Sequence, residues 1–318
     1  MLKKSIAAAL IILMTAGLIS CGKTPPTQTP TPDATPTPVT AQPTAPGSLS
    51  SLGAPDTSFS FTRESFPVLD GSTAAIPLGV GLSGFFLGYS QDEALEKYPF
   101  AGTAASVENL YSGFSDFLLV YDPPESTKDL RGGIEYLPIG RDGLVFLTHK
   151  DNPVKSLTDE QLRGIYEGRI TNWSEVGGDD AEIVAYQRNE TSGSQAMFLR
   201  SFPDIALTEP PKELVSGSMS GLLEAVAIYN NEKYAIGYSV YYYAAEMKKD
   251  ENIKLLQVDG TAADSGTIAS RAYPYTAEFY AAYMKKTDNQ AVLALAKWFK
   301  TEQATRLLEL CGYVPANR

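Results

Sequence analysis

The sequence predicts an α/β protein whose main body divides into two lobes with a cleft between them. Two observations lead there. Short apolar runs that read as buried strands alternate with segments of helical periodicity. The body, from about residue 58 to residue 318, is about 260 residues long, a size at which one hydrophobic core usually gives way to two. Within that body, Arg188, Ser192, Gly193 and Ser194 lie immediately before a predicted helix over 195–202, and a helix N-terminus is a ready anion site.

In chain order, the first element is a targeting segment. Lys3 and Lys4 precede an apolar run from Ile6 to Ile19 that is too short to span a bilayer comfortably, followed by Leu18-Ile19-Ser20-Cys21. This arrangement resembles the lipobox of bacterial lipoproteins, which implies a signal peptide over 1–20 and lipidation of Cys21. Residues 21–57 then read as a disordered tether, because Thr, Pro, Ala and Gln dominate and almost no large apolar side chain is available to bury. Extended as polyproline II at about 3.1 Å per residue, such a tether reaches on the order of 100 Å.

Within the body, residues 116–121 and 143–148 read as buried strands, and 235–239 as another. Residues 158–166 read as a helix capped by Thr158 with Gln161 three positions on. The Gly-rich stretch 74–89 contains Pro77 and predicts a short or broken helix. Residues 290–310 read as largely helical, with apolar spacing through Leu293, Leu295, Ala296, Trp298 and Phe299. Cys311, beside Leu307, Leu308 and Leu310, reads as a buried apolar filler with no cysteine to pair with once Cys21 is lipidated.

Several function classes are disfavoured. A net charge of −11 and a pI near 4.7 argue against a nucleic-acid partner. The single histidine, His149, closes an apolar strand with no G-x-S-x-G elbow, so hydrolase chemistry is not supported. No His/Cys cluster suggests a metal, and Asp179-Asp180 reads as a solvated turn. Tyr241-Tyr242-Tyr243 reads as alternating core and surface on a strand-to-helix passage rather than a carbohydrate platform.

The 188–194 cluster carries the chemistry. Two hydroxyls, the free N–H groups of a helix start and a forked, permanently charged guanidinium aim donors at one point, and Gly193 allows close backbone approach. Since the overall charge repels anions, such a site must work through local, oriented donors.

The surrounding residues resemble a known family. Asp151-Asn152-Pro153-Val154, the run 157–162, Tyr166-Glu167-Gly168, Ile170-Thr171-Asn172-Trp173-Ser174 and Val176-Gly177-Gly178, followed by Arg188 with Ser192-Gly193-Ser194 and then Ala235-Ile236-Gly237-Tyr238, look like the phosphate-binding proteins of ABC importers. The resemblance implies a two-lobed type II periplasmic-binding-protein fold with two crossover strands, lobe 1 over 58–140 and 270–318, and lobe 2 over 141–269. It also implies ligand donors at Ser72 and Thr73, Thr103, Arg188, Ser192, Gly193 and Ser194, with Asp122 as a carboxylate facing the ion. A carboxylate there selects phosphate, which carries a proton to donate, over sulfate, which carries none. Ala277 departs from the family, which often has an Arg at that position. The implied protein is a non-enzymatic, cofactor-free, monomeric, lipid-anchored binding protein delivering inorganic phosphate to permease and ATPase subunits. A protein binding another oxyanion or a small anionic metabolite, and a surface anion sensor without a transporter, are the alternatives.

Overall fold

Alternating strands and helices build one eight-stranded mixed sheet and two small two-stranded sheets in the computed structural model, which describes residues 49–121, 123–228 and 234–316. The strands are β1 (Leu69–Gly71), β2 (Phe117–Val120), β3 (Ile134–His149), β4 (Ser156–Leu157), β5 (Val184–Ala185), β6 (Gln187–Arg188), β7 (Val215–Ser216), β8 (Ala235–Val240), β9 (Ile253–Leu255), β10 (Gln257–Val258), β11 (Thr276–Met284) and β12 (Val314–Pro315). The main sheet runs β1-β2-β11-β3-β8-β5, with β9 and β12 also paired to β3.

β3 organises this sheet because it changes partners along its length. Residues 134–143 pair antiparallel with β11, from Met284 back to Thr276, whereas residues 144–148 pair with β8. The sheet therefore has two parts that share one 16-residue strand. The expected strand over 143–148 is the second half of this longer element. The strands expected at 116–121 and 235–239 appear as β2 and β8, whose residues are buried throughout.

The helix Asp159–Tyr166 has the expected Thr158–Gln161 capping box. One other expectation is corrected. The Gly-rich stretch forms an unbroken 12-residue helix, Ile76–Leu87, with Pro77 in its first turn, where no N–H is missed. Gly79 is needed in it, since a Cβ there would lie 2.6 Å from the Phe100 ring. The stretch 290–310 is largely helical as expected, divided into Gln290–Trp298 and Glu302–Leu310 where Thr301 caps the second helix by accepting from Ala304 N.

Residues 49–57, which read as tether on composition, pack against the body. Gln303 Nε2 donates to the carbonyls of Leu52 (2.9 Å) and Ala54 (2.8 Å), its Oε1 accepts from Asp56 N, and Leu52 is buried. Cys21, the signal segment and the tether up to residue 48 lie outside the described residues, as does Asp122.

An aromatic core under the second part of the sheet positions the helix Gly193–Ser201. Phe198 stacks on Tyr238 of β8 with centroids 4.6 Å apart and meets Tyr166 edge-on at 4.8 Å. Cys311 is buried, as its neighbours suggested.

In the first part of β3, Asp142 is 2% exposed. Its Oδ2 accepts from Tyr121 Oη (2.7 Å), and its Oδ1 from the N–H groups of Gly143 (2.7 Å) and Tyr242 (3.1 Å). Ala277 stands opposite it in the ladder. Burial outweighs these bonds and raises the Asp142 pKa to about 6. A raised carboxyl pKa contributes stability that is complete below about pH 4 and is lost as pH rises through about 6. Asp142→Asn is therefore expected to flatten the stability profile over this window, with a relative gain on the order of 2–3 kcal/mol between pH 4 and 7. Denaturant unfolding at both pH values measures it, and parallel wild-type and variant profiles would refute it.

Candidate anion-binding site

Three chain segments that begin helices or helical turns come together. β1 ends at Gly71, whose φ of +152° and tight packing on Leu119 suit glycine. Ser72 follows as the N-cap of the turn Thr73–Ala75, and its N–H donates to Leu119 O at 3.0 Å. Gly71 O accepts from Gly102 N at 3.0 Å, which sets the start of the helix Thr103–Ser112 beside Ser72.

Asp70 binds these two segments together. Its buried Oδ1 accepts from Gly71 N and Ala101 N, each at 2.7 Å, and its Oδ2 accepts from Asn109 Nδ2 at 2.8 Å. No sequence signal marks Asp70 for this role. Nothing local reveals that its partners lie 31 and 39 residues away.

The helix Gly193–Ser201 supplies the third segment. It starts two residues earlier than expected, so Ser192 is its N-cap while Gly193 and Ser194 occupy its first turn, where backbone N–H groups lack intrahelical partners. Ser192 Oγ accepts from Gln195 N at 3.4 Å and lies 2.8 Å from Ser194 Oγ. Thr103 abuts this turn: a Cβ at Gly193 would sit 2.5 Å from Thr103 Oγ1. The first residues of two helices, whose N-termini each carry partial positive charge, thus lie against one another at a glycine.

Arg188, at the end of β6, lies against the same turn. Its Nη1 donates to Ser194 Oγ (3.2 Å) and its Nε to Ser216 O (3.1 Å). Its backbone N–H donates to Tyr238 Oη (3.0 Å), and that hydroxyl donates to Gln195 Oε1. Tyr238 and Gln195 therefore hold Arg188 and the helix start in register, a link no sequence motif announces. Burial lowers the Arg188 pKa to about 10, so it stays charged at neutral pH. Among the described residues no carboxylate pairs with it.

Of the residues expected from the sequence, Thr103, Arg188, Ser192, Gly193 and Ser194 are in contact. Ser72 joins them through the Gly71–Gly102 bond, and Thr73 is half-buried at the start of its turn. Ser72, Thr103, Arg188, Ser192 and Ser194 are each no more than 8% exposed. Converging N–H groups, hydroxyls and a guanidinium form a donor set for a compact, dehydrated anion. His149 lies elsewhere, its Nδ1 3.6 Å from Asp151 Oδ2, and no metal-ligating cluster occurs among the described residues.

A profile of the PBP superfamily domain matches residues 87–303, more than half of the chain. The sequence is 29% identical over 132 residues to the phosphate-binding protein PstS of Bacillus subtilis, covering 42% of this chain and 41% of that protein, so the match spans less than half of that relative. It is 25% identical over 221 residues to PstS of Borreliella burgdorferi, covering 66% of this chain and 76% of that protein. An ABC-type phosphate transport receptor from Vibrio cholerae superposes with a TM-score of 0.58 at 25% identity, over 77% of this chain and 98% of that one. A substrate-binding protein from Clostridium perfringens, solved with bound phosphate, shares the fold at a TM-score of 0.63 and 24% identity, over 78% of this chain and 98% of that one.

Proposed function

The chain belongs to the PBP superfamily, and from that premise we propose that it is an extracytoplasmic binding protein that captures inorganic phosphate and delivers it to an ABC permease. The observation that carries this reading is the charged, buried Arg188 beside two helix N-termini that meet at Gly193 and Thr103. That arrangement is electrostatically costly when empty and is relieved by an anion. Phosphate is favoured among oxyanions because relatives at 25–29% identity are named phosphate-binding proteins.

In this reading Ser72, Thr73, Thr103, Arg188, Ser192, Gly193 and Ser194 donate to the ion, and Asp122 accepts its proton. Lobe 1 comprises 58–140 and 270–318 and lobe 2 comprises 141–269, in keeping with the change of partners along β3. Competition titration with phosphate and sulfate at neutral pH tests the reading. Wild-type protein should prefer phosphate by about 10⁴-fold, since an acceptor facing sulfate stays buried and unpaired. Asp122→Asn should lose much of that preference while retaining phosphate binding. Equal affinity for the two ions in wild-type protein would replace phosphate with a general oxyanion ligand, and an unchanged ratio in the variant would remove Asp122 from the site.

Lipid attachment at Cys21 belongs to the same proposal. Cys21→Ser should move the protein from the membrane to the soluble fraction with its phosphate affinity intact, because a tether separates anchor from site. Retention of the variant in the membrane would show the apolar segment to be an uncleaved anchor.

A further inference from the structure

A cavity walled by lysines and by no carboxylate runs against the composition of a chain with 37 acidic and 26 basic residues. It has a volume of about 490 Å³ and lies beside the second part of the sheet. Lys150 and Lys155 bound the loop that follows β3, and Lys254 reaches in from β9, which pairs with the end of β3. By contrast, the cavity near Glu224, Glu246 and Asp250 sets carboxylates next to Lys248 and Lys249.

The wall is preformed. Asn152, 2% exposed, fixes the loop by donating from Nδ2 to Thr148 Oγ1 (3.2 Å) and accepting Val154 N at Oδ1 (2.9 Å), while its backbone carbonyl accepts from the Lys254 ammonium. Lys150 Nζ donates to Asn252 Oδ1 at 2.9 Å. Burial, and then the neighbouring Lys155 ammonium, lower the Lys254 pKa. Asp151 offsets part of this, but its carboxylate lies beside His149, and none of the three lysines has a carboxylate within ion-pair distance among the described residues. Like charges gathered with only the distant Asp151 carboxylate to offset them cost free energy that a bound anion returns.

The cavity is far larger than an inorganic oxyanion and falls in the range of small-molecule sites. Pro153, Leu255 and Ala263 give it apolar walls beside the lysines. We propose that it is a second anion site that binds an organic phosphate, with the phosphate held between Lys150, Lys155 and Lys254 and the carbon skeleton against Pro153, Leu255 and Ala263. Three ammonium groups without a guanidinium fork select for charge more than for shape. The site shares no residue with the Arg188 cluster and stands or falls independently of it.

Such a ligand is either a soluble sugar phosphate or the headgroup of an acidic phospholipid. The test is calorimetric titration of the full chain carrying Arg188→Ala, which blanks the first site, with fructose 1,6-bisphosphate and separately with monomeric dihexanoyl phosphatidic acid. At least one probe should bind, more weakly when salt rises from about 50 to about 200 mM. Adding Lys150→Gln and Lys155→Gln, both at exposed positions, should weaken it at least about tenfold with an unchanged thermal midpoint. Binding of the sugar phosphate alone identifies a soluble ligand, and binding of the lipid alone a headgroup. No binding of either probe at about 5 mM, or equal binding in the lysine variants, overturns the proposal.

Discussion

Arg188→Ala is expected to weaken phosphate binding by about 10³-fold or more while the protein remains folded. Arg188 is the one permanent charge among the expected second-lobe donors, and its guanidinium is already aimed by Ser216 O and Ser194 Oγ. Each charge-assisted hydrogen bond to a desolvated anion contributes roughly 1.5–3 kcal/mol, and a forked donor makes two, so a loss of about 4 kcal/mol, or three powers of ten, follows. The fold should survive because the Arg188 backbone N–H still donates to Tyr238 Oη and the aromatic core beneath the helix is untouched. Calorimetry together with circular dichroism measures both halves of the expectation. A folded variant that binds phosphate within tenfold of wild type would remove Arg188 from the site.

Gly193→Ala is expected to weaken binding by about ten- to a hundredfold through space alone. Alanine is the better helix residue by about 1 kcal/mol, so local helix stability should rise rather than fall. The new Cβ, however, would lie 2.5 Å from Thr103 Oγ1, and rotating that side chain brings Cγ2, itself 3.6 Å away, toward the same place. The two helix N-termini must then separate, and losing one charge-assisted hydrogen bond, roughly 1.5–3 kcal/mol, costs on the order of ten- to a hundredfold in affinity. Gly193→Ala combined with Thr103→Ser should recover part of the affinity, since serine can swing its hydroxyl clear. Wild-type affinity in Gly193→Ala would show that close contact at this point is not needed for binding.

The parts of this protein set by neighbouring residues were legible in the sequence. Strands β2 and β8 follow from short apolar runs, and the Asp159–Tyr166 helix from its capping box. The 188–194 cluster could be found because its donors lie within seven positions and sit at a helix start, where unpaired N–H groups are a local property of the backbone. The family resemblance extended that reading to Ser72 and Thr103, which no local spacing connects to Arg188.

Tertiary structure decided what depends on distant partners. Composition counted Gly79 and Pro77 against their helix, but helix propensity is small beside the packing of Phe100 on Gly79 and the harmless first-turn position of Pro77. The break at Thr301 arises where a side-chain cap competes with continued helix, a choice that apolar periodicity does not record. Residues 49–57 lack the apolar content of a folded segment, yet Gln303 supplies partners for their backbone from about 250 positions away. Asp70, Tyr238 and Gln195 are held by hydrogen bonds across separate elements, and their roles exist only once the sheet has brought those elements together. Local sequence determines which backbone groups a helix start leaves without intrahelical partners. The long-range packing determines that the starts of the Thr103–Ser112 and Gly193–Ser201 helices and the buried Arg188 come into contact, with Ser72 tied to them through the Gly71–Gly102 bond.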